Sequence, residues 1–70
     1  MEEKFIVRKF LNQKNSDEWK IISTVTFKTL MGAKSYAYGT KELLAANQKY
    51  VIFQGDNKIL EEVKGEKYAE

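Results

Sequence analysis

At Thr29 the apolar periodicity of this chain changes from two residues to three and four, and that change limits the fold more than any other feature. Before it, Trp19, Ile21, Ser23, Val25 and Phe27 alternate with Lys20, Ile22, Thr24, Thr26 and Lys28, which is the pattern of a strand with one face turned to a core. After it, Leu30, Ala33, Ala37 and Leu44, flanked by Tyr36 and Leu43, form a stripe at helical spacing. Thr29 sits at the junction as an N-cap, its hydroxyl placed to accept from a free backbone N–H of the first turn. The helix is expected over about residues 30–47. Gly32 and Gly39 weaken it, and Gly39 followed by Thr40 is an alternative place for one helix to end and another to be capped.

Two hairpins flank this unit. Residues 4–11 within "KFIVRKFLN" suit a strand with one or both faces partly buried, and "NQKNSDE" supplies turn chemistry before the second strand at about 19–28. Beyond the helix, "YVIFQ" (50–54) is a nearly continuous apolar strand. "GDNK" is a tight turn, "KILEEV" opens a last strand over about 58–64, and residues 65–70 read as a frayed polar tail. The expected fold is therefore α+β: a single small ββαββ domain over residues 1–70, a four-stranded antiparallel sheet with one helix packed on one face. Strand order is open at this point. Trp19, Ile21, Val25 and Phe27 are expected in the core, and the uncovered sheet face is expected to carry Lys20, Thr24, Thr26 and Lys28.

Composition removes most chemistry. The 70 residues contain no histidine and no cysteine, so imidazole bases, thiol nucleophiles, disulfides and Cys/His metal sites are excluded. The adjacent carboxylates Glu2-Glu3, Asp17-Glu18 and Glu61-Glu62 do not converge on a substrate when they lie on strands, because neighbours point to opposite faces. No Gly-rich phosphate loop follows a strand. We expect a non-enzyme without cofactor or metal. No apolar run approaches a membrane span or a secretory signal, so the expected location is cytoplasmic.

The positions Trp19, Phe27, Thr29, Ala33, Ala37 and Asp56-Asn57-Lys58-Ile59 resemble domain-of-unknown-function family 2188, a set of short bacterial domains. Its pattern runs from a Trp-led strand through Phe-x-Thr-x-x-x-Ala into a helix and a final hairpin. Asn57 stands where the family would have Gly, and Asp17-Glu18 replaces a Gly-rich approach to the Trp. The resemblance implies the fold and carries no activity or ligand. "FKTLMGAK" is also similar to the arm-binding domains of phage integrases, which lay a sheet face in a DNA groove.

Two binding surfaces follow. Met31, Ser35, Tyr38, Glu42 and Ala45 form a second stripe about a quarter-turn from the core stripe, and exposed Met and Tyr favour protein interfaces or self-association. The expected role is a small protein-binding or regulatory module, of phage or mobile-element type, acting on a larger partner. The alternative is nucleic-acid binding through Lys20, Thr24, Thr26 and Lys28 on the open face with Lys34 and Lys41 on the helix. That alternative draws on a balance of +6 over residues 4–58, although the formal net charge is only +2.

Overall fold

The computed structural model describes residues 4–12, 18–55 and 57–65. Its elements are β1 (Phe5–Asn12), β2 (Trp19–Phe27), α1 (Leu30–Gly39), a 3-10 turn (Lys41–Leu43), β3 (Gln48–Gln54) and β4 (Lys58–Lys64). The strands form one antiparallel sheet in the order β2-β1-β3-β4, with α1 on one face, so the α+β ββαββ architecture holds. The sequence-expected turns at 13–17 and at Asp56, and the tail beyond Gly65, lie outside the described residues. β1 and β3 are the central pair, and β2 and β3 run parallel to each other on either side of β1. The segment from β2 through α1 to β3 is therefore a crossover above β1.

Thr29 caps α1 as its sequence position implies: the Gly32 N–H donates to Thr29 Oγ1 at 3.0 Å. The far end differs from the expected run to residue 47. The helix stops at Gly39, where the Thr40 hydroxyl donates to the Tyr36 carbonyl at 2.8 Å and lies 2.9 Å from the Tyr50 hydroxyl. The physical reason is reach. Ten residues of helix span about 15 Å, and the chain must then turn back so that Gln48 can open β3 opposite Leu11. The 3-10 turn makes that reversal and drops Leu44 into the core, while Leu43, expected on the core stripe, is left 76% exposed.

The core is small: Val7, Ala33, Ala37, Leu44, Tyr50, Ile52 and Val63, flanked by Phe5, Phe27, Leu30, Tyr36 and Leu60. Ala33 and Ala37 have no side chain beyond Cβ, so α1 lies close against the sheet. Phe27, Tyr36 and Tyr50 pack in series, the first pair tilted and the second edge to face, with ring centroids 5.4 and 5.5 Å apart. Burial first, then the neighbouring Tyr50 phenol and its hydrogen bond, push the Tyr36 phenol above its ordinary value of 10.0. The folded state thus holds that proton more tightly than the unfolded chain. Its stabilising contribution is intact below pH 10.0 and is lost as pH rises through the folded value. In melts taken at rising alkaline pH, Tyr36→Phe is expected to flatten this loss; an unchanged slope would show that Tyr36 does not titrate with unfolding.

Two irregularities decide which side chains face α1. In β2 the register passes from Lys9↔Ser23 to Phe10↔Ile21, so Ile22 is an extra residue. A one-residue bulge reverses the facing of all that lies beyond it. Phe27, Val25 and Ser23 share the helix side with Phe5, Val7 and Lys9, but Ile21 and Trp19 pair with Phe10 and Asn12 on the other side. Trp19 and Ile21 are consequently not core residues, contrary to the continuous alternation read from sequence; they are 40% and 55% exposed. In β4, Leu60 is the extra residue between Phe53↔Ile59 and Ile52↔Glu61. It packs on the core, while Ile59 turns to the open side.

Candidate functional site

The face of the sheet away from α1 is built from four cross-strand rows. The first is Thr26, Ile6, Phe53 and Ile59; the second is Thr24, Arg8, Val51 and Glu62; the third is Ile21, Phe10, Lys49 and Lys64. A short fourth row pairs Trp19 with Asn12. Apolar residues on this face come from all four strands, and no element of the described chain covers them. Sheets exposed on one side ordinarily alternate apolar-in and polar-out, and here both sides of β1 and β3 are apolar.

Cations lie over the aromatic rings of this face. The Arg8 guanidinium carbon is 4.7 Å from the Phe53 ring centroid. Lys49 Nζ is 4.3 Å from the Trp19 ring and 6.0 Å from the Phe10 ring, and it also reaches Glu62 Oε1 at 3.1 Å. Such contacts are worth about 0.5–1 kcal/mol where exposed, and the Lys49 side chain, only 17% exposed, is held by Glu62 as well. Val51 is buried here although no helix lies above it; its cross-strand neighbours Arg8 and Glu62 flank it.

The sequence-derived nucleic-acid residues do not converge. Thr24 and Thr26 are on the open face, as expected. Lys20 pairs with Leu11 and so turns to the helix side, a consequence of the Ile22 bulge. Lys28 is exposed in the bend after β2, and Lys41 belongs to the 3-10 turn. Lys34 projects from α1 to Glu61 Oε1 at 3.5 Å. Of the helix stripe, Met31, Ser35 and Tyr38 are exposed on α1. Glu42 falls in the 3-10 turn, and Ala45 lies past it, half-buried, its N–H donating to Gln48 Oε1. The end of α1 at Gly39 breaks the stripe.

Arg8, Phe10, Lys49 and Phe53, which the sequence did not single out as site residues, form the centre of the open face, and Ile59, named only for its place in the final hairpin, joins them there. Their signal was present in "KFIVRKF" and "YVIFQ": apolar residues at consecutive positions demand cover on two faces, and one helix covers one. Glu61 and Glu62 face opposite sides, Glu61 toward Lys34 and Glu62 toward Lys49, so they cannot act as a carboxylate pair. Among the described residues, no group of three or more metal-ligating side chains occurs and no helix is long and apolar enough to cross a membrane. Comparison with protein-family models, curated proteins and solved structures finds no match for this chain, and the resemblance to family 2188 rests on its residues alone.

Proposed function

We propose that the protein is a non-enzymatic binding module of regulatory type, and that it works by presenting the open face of its sheet to a macromolecular partner. One observation carries this reading: the central strands β1 and β3 are apolar on both faces, and the described residues leave a large part of the second face uncovered. Trp19, Ile21 and Ile59 stand exposed there, and exposed apolar residues gathered on one face mark interaction sites. The aliphatic part of the face fits a protein surface. A second reading, nucleic acid, is favoured by the cations that lie over Phe53, Phe10 and Trp19. The exposed helix residues Met31 and Tyr38 give a smaller and more scattered alternative surface.

Site-specific photocrosslinking separates the two surfaces. A photoreactive residue at position 21 or 59 is expected to trap the partner, and Ile21→Glu is expected to cut capture at position 59 at least tenfold. Crosslinks from positions 31 and 38 with none from 21 and 59 would move the working surface to α1.

A further inference from the structure

The charge on the open face narrows its occupant. Among the described residues, the face carries Arg8, Lys49 and Lys64 against one carboxylate, Glu62, which Lys49 engages at 3.1 Å. A second copy of this chain docked face to face would bring six cations against two carboxylates. Buried charge without a counter-charge is strongly unfavourable, so self-pairing of this face is disfavoured. A neutral apolar protein surface would desolvate Arg8 and Lys64 with nothing to offset them. The matching occupant must bring negative charge and flat apolar groups together.

Resting on the reading of the open face as the working surface, we propose that it binds single-stranded nucleic acid by base stacking. The rings fall into two stations. Phe10 and Trp19 lie together beneath Lys49, and Phe53 lies beneath Arg8. Phe10 pairs with Lys49 whereas Phe53 pairs with Ile6, a separation of four residues, or about 13 Å along the strands. Arg8 stands in the row between the stations, placed for a phosphate. The cations move from the rings to the phosphates as bases take their place, and Thr24 and Thr26 offer hydroxyls along the β2 side. Duplex DNA does not fit: four strands at about 4.8 Å spacing are wider, with side chains, than a major groove of about 12 Å. Stacking also requires unpaired bases. Stacking accepts any base, because every base has a π-face, so binding is expected to be sequence-tolerant.

The test uses the full chain and a fluorescently labelled twelve-nucleotide strand of mixed sequence, as DNA and as RNA. Trp19 is the only tryptophan, so stacking at its station reports directly as quenching of intrinsic fluorescence. Binding is expected with quenching, and with at least tenfold preference over a duplex of the same sequence. Neutralising about three phosphates gives a salt slope near −2, so affinity falls about tenfold to twentyfold between about 50 and 200 mM salt. Phe53→Leu keeps an apolar group for folding and is expected to weaken binding about tenfold, with an unchanged thermal midpoint as its control. Arg8→Gln is expected to lower the salt slope by about 0.7.

Failure to bind at low salt overturns the proposal, as does duplex binding of equal strength without quenching. Strands that bind but shift the amides of α1 instead of β1 and β3 overturn both the proposal and the open-face reading. If no strand binds while positions 21 and 59 crosslink a protein, only the nucleic-acid assignment falls.

Discussion

Ile52→Ala is expected to leave the chain largely unfolded at 25 °C. Ile52 is fully buried in the central strand β3, cross-strand from Val7 on one side and Glu61 on the other, within the cluster that holds Ala33 and Ala37. Removing its three outer carbons costs about 3–4 kcal/mol in transfer and cavity terms. A single core in a chain of this length supplies only about 3–5 kcal/mol in total. The small residues of α1 offer little to collapse into the space. Val51, next along β3, provides the contrast. It is also buried, but on the open face and beside flexible Arg8 and Glu62, which can relax over an alanine, so Val51→Ala is expected to cost about 1 kcal/mol. Urea unfolding measures both: a midpoint for Ile52→Ala close to that of Val51→Ala would mean that the helix side of the sheet is no better packed than the open side.

That contrast also explains what could be read from the residues and what could not. The Thr29 cap, the helix start, the antiparallel hairpins and the close approach of Ala33 and Ala37 follow from local chemistry, and local chemistry is written in sequence. The Ile22 bulge is not. Inserting one residue leaves the alternation on each side intact, so "WKIISTVTF" looks like one continuous strand face while its first part faces the other way. This single register shift moved Trp19 and Ile21 onto the open face and took Lys20 off it, which is why the lysine and threonine set expected for nucleic acid came apart. Strand order was illegible for a different reason, since it depends on which partners a strand finds across the chain. The helix end at Gly39 was an open alternative, settled by the distance the chain must cover to start β3. The open face itself was partly legible: two central strands apolar at successive positions and one helix to cover them leave a face without cover.

Gly65→Val is expected to destabilise by about 3 kcal/mol, enough with so small a core to populate the unfolded state heavily. A Cβ at this position would fall on the Ala45 carbonyl and come within 2.8 Å of Leu44 Cβ. Neither neighbour can yield cheaply. Leu44 is fully buried, and the Ala45 carbonyl accepts from the Gln48 N–H at 3.0 Å while the Ala45 N–H donates to Gln48 Oε1. Gly65 itself donates to the Gln48 carbonyl at 3.0 Å, so moving it away breaks the end of the β3–β4 pairing. Overpacking against fixed backbone is among the costlier substitutions. Gly39→Ala is the matching control: a Cβ there meets nothing within 4 Å and the backbone is not at positive φ, so alanine is expected to stabilise by up to about 1 kcal/mol. Thermal melting of the two variants tests whether the chain reversal after α1 is held from β4. If Gly65→Val melts with the wild type, the residue that follows β4 does not hold the 3-10 turn in place; if it unfolds as expected, the close approach of Gly65, just past the end of β4, to Leu44 and Ala45 is what keeps Leu44 in the core.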